Sequence, residues 1–274
     1  MDLSKVRLVI TDMDGTLLNS KHEVSPQFFE LFNKMAAHDI LFVAASGRPH
    51  YSITEKLDTI KNDIIIVSEN GGLVSKMEET LLSTTLKEES LTEIIDLITP
   101  IENTHPVFCG KNKAYVKSSS ETLLNLLTEY YPNYVLIEEA SEITEPIYKV
   151  ALFHEENSEK HIYPHVKHLE ANYKVKTSAR HWVDISDNLA NKGHAIKLLQ
   201  DSYNISSDET MVFGDYNNDI EMLKLGYFSY AMQNAHPNVK KIARFETKTN
   251  DAFGVEHILE TLLLEKSKAD SITP

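Results

Sequence analysis

Short, continuous apolar runs alternate along the chain with segments whose apolar residues recur at helical spacing. Residues 6–11, 40–45 and 64–67 are apolar runs, a pattern typical of parallel strands buried on both faces. Residues 25–35, which begin with Ser-Pro, and residues 52–60 are predicted to form helices between these strands. The start of the chain therefore predicts a β-α-β-α-β unit with a parallel sheet and right-handed crossovers.

The same alternation returns near the end of the chain. Residues 192–203 are predicted as a helix, 211–213 as a strand, and 219–225 as a helix that ends at Gly226. We expect residues 265–274 to form a frayed tail. These segments are assigned to the same α/β unit as the start of the chain.

The middle of the chain has a different pattern. In this part we predict helices over 91–98, 121–130 and 159–169. The short strands between them alternate polar and apolar residues in several places, which is typical of an antiparallel sheet with one solvated face. We therefore predict an α/β core formed by residues 1–85 and 187–274, interrupted by an α+β insert at residues 86–186.

Composition narrows the classes of function. With 27 Lys and Arg residues against 41 Asp and Glu residues, the net charge is −14, which disfavours binding to nucleic acid or to anionic membranes. No apolar run approaches the roughly 20 residues that cross a bilayer, and the run at 6–10 is too short for a signal peptide. The single cysteine, Cys109, excludes an internal disulfide and a cysteine-based metal site. We expect a cytoplasmic protein, and nothing in the sequence determines its oligomeric state.

The residues that end the predicted strands are candidates for chemistry, because ligands of doubly wound sheets bind beyond the carboxyl ends of the strands. Residues 12–16 (Asp-Met-Asp-Gly-Thr) follow the first strand, 46–48 (Ser-Gly-Arg) follow the second, and 214–219 (Gly-Asp-Tyr-Asn-Asn-Asp) end the late strand. Residues 191–193 (Asn-Lys-Gly) stand at the helix before that late strand. Such a rim of carboxylates, hydroxyls and a lysine is expected where Mg²⁺ and a phosphoryl group are held together.

The two carboxylates of the first loop predict a division of roles. Asp12 is the candidate nucleophile, which would form an aspartyl-phosphate. Asp14 is the candidate acid and base, which would protonate the leaving alkoxide and then accept a proton from the hydrolytic water. Because a carboxylate and a phosphate repel each other, we expect Mg²⁺ between them, held by Asp12, the backbone carbonyl of Asp14 and Asp215.

The remaining candidates contact the phosphoryl group or support the loops. The candidate phosphate contacts are Met13, Ser46, Gly47, Lys192 and Asn218. Thr16 and Asp219 are expected to support the loops. Arg48 is interpreted equally well as a substrate contact or as the partner of a nearby carboxylate.

Taken in order, these motifs resemble the haloacid dehalogenase superfamily of phosphatases, and within it the Cof-like, type IIB sugar phosphatases. The resemblance implies a Rossmann-like core, a type 2 cap formed by the insert, dependence on Mg²⁺, and hydrolysis of small metabolites such as sugar phosphates or phosphorylated cofactors. It implies the same roles for Asp12, Asp14 and Asp215. Residues 69–72 (Glu-Asn-Gly-Gly) resemble the family's Asn-Gly loop, and we assign them no chemical step.

Two other functions stay open at this point. A phosphomutase or phosphotransferase would use the same aspartyl-phosphate and pass the phosphoryl group to a sugar hydroxyl instead of water. A phosphoacceptor signalling domain of the receiver type also combines an acidic cluster, a hydroxyl and a lysine on an α/β sheet. Such a domain needs neither a second carboxylate as acid and base nor a large insert.

Overall fold

The computed structural model describes residues 2–117 and 120–271, and the strands within them form two sheets. The strands are β1 (Leu8–Thr11), β2 (Leu41–Ala45), β3 (Ile65–Ser68), β4 (Leu73–Lys76), β5 (Glu79–Ser83), β6 (Thr104–Gly110), β7 (Ala114–Val116), β8 (Tyr134–Leu136), β9 (Ile147–His154), β10 (Tyr173–Ala179), β11 (Trp182–Asp187), β12 (Thr210–Gly214), β13 (Phe228–Ala231) and β14 (Phe245–Glu246). The helices are α1 (Pro26–Ala37), α2 (His50–Lys56), α3 (Glu88–Ile98), α4 (Glu121–Tyr130), α5 (Ser158–His161), α6 (Tyr163–Val166), α7 (Lys192–Tyr203), α8 (Ile220–Leu223), α9 (Pro237–Ile242) and α10 (Gly254–Asp270). None of these helices is both long enough and apolar enough to span a bilayer.

The larger sheet has the strand order β14-β13-β12-β1-β2-β3-β4-β5. The strands from β14 to β3 are parallel, whereas β4 and β5 form an antiparallel extension at one edge. β1 lies in the middle and is buried at all four residues, as expected for a parallel sheet with helices on both faces. This arrangement confirms the α/β class predicted from the sequence.

Helix α1 begins where the sequence predicts, and its start is joined to the last helix. The Ser25 hydroxyl accepts a hydrogen bond from the Phe28 N–H at 3.1 Å, and Pro26 occupies the first helical position. The same hydroxyl donates to the buried Glu256 carboxylate of α10 at 2.5 Å. These contacts connect two helices that are more than 200 residues apart in the chain.

The smaller sheet has the order β10-β11-β9-β6-β7-β8, with antiparallel pairing except between β7 and β8. Its central strand, β9, is buried at all eight residues. Helices α3 and α6 join the apolar cluster on one face of the sheet, and α4 packs on the other. The prediction of one solvated face is therefore wrong for β9, because other elements cover both of its faces.

Residues 159–169, predicted as one helix, form two short helices, α5 and α6, followed by a 3-10 helix. Pro164 has no N–H to continue the hydrogen-bond ladder of α5, and its ring clashes with the preceding turn. The prediction of a single helix is wrong because of this proline.

The tail predicted at 265–274 is helical over most of its length. Helix α10 continues to Asp270, and residues 272–274 lie outside the described residues. Leu262 and Leu263 of α10 are buried in the core of the larger sheet. Packing of this apolar face stabilises the helix, although its other face carries charged residues. The prediction of a frayed tail is therefore wrong as far as Asp270.

Candidate active site

The carboxyl ends of three adjacent strands meet at one edge of the larger sheet. Strands β12, β1 and β2 lie side by side and parallel, which brings Asp12, Ser46 and Asp215 to the same edge. The Asp12 N–H donates to the Phe213 carbonyl at 3.1 Å, and the Ser46 N–H donates to the Val67 carbonyl at 2.8 Å. These bonds extend the strand ladders by one residue and fix the backbone of the first candidate residues.

Three of the predicted site residues form an acidic cluster. Asp12, Asp215 and Asp219 each place one carboxylate oxygen within 4.8 Å of the others. Burial raises the pKa of Asp12 well above its ordinary value; the charge of Lys192 opposes this shift, and the two neighbouring carboxylates add to it. Burial, and then the charge of Asp219, raises the pKa of Asp215 to about 7. When ionised, the three carboxylates carry more negative charge than Lys192 balances. Carboxylate oxygens are the ligands that Mg²⁺ prefers, so these residues fit that ion.

The cation of the acidic cluster is Lys192, the first residue of α7. The side chain of Asn191, which precedes it, caps the helix by accepting a hydrogen bond from the His194 N–H at 2.7 Å. The Lys192 ammonium is fully buried and donates to Asp12 Oδ1 at 2.5 Å and to Asp219 Oδ1 at 2.7 Å. Burial by itself lowers the pKa of Lys192, but the two carboxylates outweigh burial and raise it. Lys192 therefore stays charged and orients the Asp12 carboxylate.

Both oxygens of Asp219 accept hydrogen bonds from groups of this chain. Oδ1 accepts from Lys192, and Oδ2 accepts from the backbone N–H groups of Asp215 at 2.9 Å and Tyr216 at 3.1 Å. Asp219 therefore holds Lys192 and the loop after β12 in position. Asp12 and Asp215 are left as the carboxylates of the cluster that can bind a cation.

The turn after β1 packs directly against Asp215. Gly15 has a φ of +75°, and a Cβ added to it would lie 2.4 Å from Asp215 Oδ2, so the turn needs glycine for its conformation and for its close approach. The Thr16 hydroxyl donates to Asp215 Oδ1 at 3.3 Å. The Met13 side chain is fully buried in the core, so its backbone is the part that can reach a phosphate.

Asp14 forms a two-point ion pair with Arg48. Arg48 Nε donates to Asp14 Oδ2 at 2.7 Å and Nη2 donates to Oδ1 at 2.6 Å, while His22 Nδ1 lies 3.3 Å from Oδ1. Burial raises the pKa of Asp14, but the hydrogen bonds and charge of Arg48, together with His22, outweigh it and hold the pKa below its ordinary value. Of the two interpretations of Arg48, the structure therefore supports the second, in which Arg48 is the partner of a nearby carboxylate. His22 was not predicted, because it lies in a polar turn with no periodic pattern.

The remaining predicted phosphate contacts lie around Asn70. The Ser46 hydroxyl accepts a hydrogen bond from the Arg48 N–H at 3.1 Å, and its own O–H can still donate. The Asn218 side-chain amide donates to Asn70 Oδ1 at 2.9 Å. The side-chain amide of Asn218 carries two N–H donors, so its second N–H can donate a hydrogen bond to a phosphoryl oxygen.

The turn that follows β3, Glu69–Gly71, contacts the other loops of the site. The Asn70 N–H donates to the Ser46 carbonyl at 2.9 Å. Gly71 has a φ of +97°, and a Cβ added to it would lie 2.3 Å from the Asn191 carbonyl. No chemical step is predicted for this turn, because its Asn-Gly pair does not indicate in the sequence which loops it contacts.

The chain is similar to known proteins in sequence and in fold. Residues 9–259 match the sequence profile of a family described as haloacid dehalogenase-like hydrolase. The chain is also 27% identical, over 272 residues, to an Escherichia coli (strain K12) protein named 5-amino-6-(5-phospho-D-ribitylamino)uracil phosphatase YbjI. That alignment covers 97% of this chain and 99% of the E. coli protein.

Solved structures show the same architecture. SMU.1108c from Streptococcus mutans UA159 superposes with a TM-score of 0.86 at 31% sequence identity, and covers 94% of this chain and 99% of its own. BT4131, described as a sugar phosphatase of subclass IIB of the haloacid dehalogenase superfamily, superposes with a TM-score of 0.78 at 20% identity. That superposition covers 93% of this chain and 98% of BT4131, and at this identity the likeness shows the fold alone.

Proposed function

Because the chain belongs to the haloacid dehalogenase-like hydrolase family, we propose that it hydrolyses phosphate esters through an aspartyl-phosphate on Asp12, with Mg²⁺ as the cofactor. The family and the E. coli relative support a phosphatase that acts on small phosphorylated substrates. The observation that carries the mechanism is the meeting of Asp12, Asp215 and Lys192 in one cluster, in which Asp12 and Lys192 are buried and Asp215 is half-buried. In this cluster the nucleophile lies beside a cation, Lys192, which reduces its repulsion from phosphate, and beside a carboxylate, Asp215, which would hold the metal ion.

Asp12 is the group that attacks phosphorus. Lys192 donates to Asp12 Oδ1, so Oδ2 is the oxygen that can attack, and the phosphorus–oxygen bond to the leaving group breaks as the new bond forms. Asp12, Asp215 and the Asp14 backbone carbonyl are the groups that would hold Mg²⁺. When bound, that ion reduces the charge repulsion between the carboxylate and the phosphate.

Asp14 transfers the protons in both steps. In the pair with Arg48 its pKa is low, so it is ionised and able to accept a proton from the water that attacks the aspartyl-phosphate. To donate a proton to the leaving alkoxide in the first step, Asp14 must carry one, which requires its carboxyl to part from Arg48. Arg48 therefore favours the base form of Asp14.

Residues 86–186 are the proposed cap over this site, and the substrate is a small phosphorylated metabolite. The name of the E. coli relative describes a phosphate ester on a ribityl group. Sugar phosphates, sugar-alcohol phosphates and phosphorylated cofactors are therefore the classes to assay.

Release of inorganic phosphate is expected to require Mg²⁺. With p-nitrophenyl phosphate and a panel of sugar phosphates, we expect turnover in Mg²⁺ buffer and a loss of about 100-fold or more in EDTA. Free phosphate is measured together with the released alcohol. Turnover that persists in EDTA would contradict the mechanism, and alcohol release without equivalent free phosphate would identify a phosphotransferase.

The pKa of Asp215 gives this metal requirement a pH dependence. Its folded-state pKa of about 7 lies above the ordinary 3.8, so below neutral pH the metal-free carboxyl holds a proton that Mg²⁺ must displace. The Mg²⁺ concentration for half-maximal activity is therefore expected to fall as pH rises toward about 7, and then to level off. Because the folded state holds more protons than the unfolded state over this window, the stability of the metal-free protein falls as pH rises.

Replacing Asp14 by Asn is expected to act most strongly on substrates with poor leaving groups. For glucose 6-phosphate, whose alkoxide must be protonated, kcat/KM is expected to fall by about 10²- to 10⁴-fold. For p-nitrophenyl phosphate the loss in kcat/KM is expected to be much smaller, since p-nitrophenolate leaves without a proton. Equal losses for the two substrates would mean that Asp14 does not act as the acid.

A further inference from the structure

A buried ion pair joins the two sheets beside the candidate active site. Lys149 lies on β9 of the smaller sheet, Glu69 follows β3 of the larger sheet, and Lys149 Nζ lies 2.8 Å from Glu69 Oε2. The two side chains are only 5% and 1% exposed. The Tyr131 ring, 5.9 Å from the ammonium, helps to enclose the pair. No step of the proposed mechanism uses either residue.

Lys149 has a second contact, with the loop that follows β2. Its ammonium donates to the Gly47 carbonyl at 3.2 Å. The carbonyls on either side are also held, since Ser46 accepts from the Asn70 N–H at 2.9 Å and Arg48 accepts from the Glu69 N–H at 3.0 Å. Three consecutive carbonyls therefore have donors, and the middle donor comes from the smaller sheet.

Holding these carbonyls determines where the N–H groups of the loop point, because each peptide unit is planar. The Gly47 carbonyl shares its peptide plane with the Arg48 N–H, which donates to the Ser46 hydroxyl oxygen at 3.1 Å. The Ser46 carbonyl shares its plane with the Gly47 N–H, one of the predicted phosphate contacts. By binding the Gly47 carbonyl, Lys149 therefore fixes the plane of the peptide between Gly47 and Arg48. The Arg48 N–H of that peptide in turn orients the Ser46 hydroxyl.

We propose that Lys149 is a positioning residue that completes the phosphate-binding loop when the cap lies over the core. This inference rests on the proposed function and adds a cap residue to the phosphate site of the core. When the cap moves away, the Gly47 carbonyl loses its donor and the Ser46 hydroxyl loses its fixed orientation. The phosphate site is then complete only while the substrate is enclosed.

The small net stability of a buried ion pair indicates that this pair positions the loop after β2 rather than merely holding the two sheets together. Removing two charges from water costs about as much as their attraction returns, so a buried ion pair adds little net stability. Glu69 and Asn70 have φ values of +49° and +55°, a left-handed conformation that non-glycine residues adopt at a cost. The turn keeps this conformation while the Glu69 N–H and Asn70 N–H hold the loop and the Glu69 carboxylate meets Lys149.

The test compares Lys149→Met, Glu69→Gln and the double variant in the full-length protein with Mg²⁺. We expect Lys149→Met to lower kcat/KM by about 10- to 100-fold, somewhat less than the loss of a direct donor to the transition state. The same factor is expected for acetyl phosphate, p-nitrophenyl phosphate and glucose 6-phosphate, because the phosphoryl group is common to all three. The inhibition constant of inorganic phosphate is expected to rise as well.

The other variants separate positioning from charge pairing. Glu69→Gln keeps the Lys149 donor to Gly47, so its kcat/KM is expected to fall less than about fivefold. The double variant has no unpaired buried charge but still lacks the donor, so it is expected to fold and to be as slow as Lys149→Met. Lys117→Met, which removes an exposed cap lysine that pairs with Glu139 at 3.6 Å, is the matched control and is expected to keep wild-type activity.

Two results would overturn the inference. Recovery of wild-type kcat/KM in the double variant would mean that the pair matters only through its charges. A loss confined to glucose 6-phosphate would make Lys149 a contact of the leaving group. Neither result affects the proposed function, which is tested separately by whether the wild-type protein releases phosphate and needs Mg²⁺ and Asp12.

Discussion

Replacing Asp12 by Asn is expected to reduce phosphate release by at least about 10⁴-fold, because the variant lacks the oxygen that forms the bond to phosphorus. The loss is expected for every substrate and at every Mg²⁺ concentration, since no other carboxylate occupies the same position. Single-turnover experiments with a ³²P-labelled substrate, quenched in acid, should yield labelled wild-type protein and unlabelled Asp12→Asn protein.

Protein folding is not expected to account for this loss. Asp12 lies among like charges that, with burial, raise its pKa, so a neutral amide relieves repulsion in the metal-free protein. Its thermal midpoint is therefore expected to equal or exceed that of the wild type. The control is Asp58→Asn, which changes an exposed carboxylate paired with Lys61 at 2.7 Å and should leave turnover unchanged. Labelling or turnover in Asp12→Asn would refute the nucleophile assignment.

Replacing Lys192 by Met is expected to destabilise the metal-free protein by about 3–5 kcal/mol, the cost of leaving buried carboxylates without their cation. Lys192 is fully buried and contacts both Asp12 and Asp219. Urea unfolding followed by circular dichroism measures the change. Activity is expected to fall as well, because the Asp12 carboxylate loses the donor that orients it.

A lysine on the same helix provides the control for this prediction. Lys197 forms an exposed pair with Asp201 on α7, so Lys197→Met is expected to cost less than about 1 kcal/mol. The two variants remove the same group from the same helix and differ in burial. If Lys192→Met unfolded at the same urea concentration as Lys197→Met, the buried cluster would not have the charge balance described above.

The candidate residues could be found from the sequence because each follows a recognisable strand or begins a recognisable helix. An apolar run followed by Asp-Met-Asp-Gly-Thr signals both a buried strand and the loop at its carboxyl end. Parallel pairing then brings such loops to one edge, and the structure has Asp12, Asp215 and Lys192 in contact range there. The chemical roles of these residues stay predictions until the variants are measured.

The contacts among those residues could not be predicted in the same way. Nothing near Arg48 in the sequence indicates that it pairs with Asp14, 34 positions earlier. Lys149 lies in a strand whose residues are all buried. Nothing in the sequence near this lysine indicates which residue it contacts. The helical tail to Asp270 likewise depends on tertiary contacts of α10. The broken helix at 159–169 is a different case, because Pro164 is visible in the sequence and its effect on the helix outweighs the helical spacing of the apolar residues.

By itself the sequence determined strands β1, β2, β3 and β12 of the larger sheet, the helices α1, α2, α7 and α8 beside them, and the residue types at these strand ends. Those features depend on neighbours within a few positions. Only the tertiary structure decided that both oxygens of Asp219 accept hydrogen bonds, from Lys192 and from backbone N–H groups. It also decided that Lys149 contacts Gly47, 102 positions away. Buried polar groups must find partners wherever the fold supplies them. Such partners are close in space but far apart in the sequence, so the spacing of residues along the chain does not indicate them.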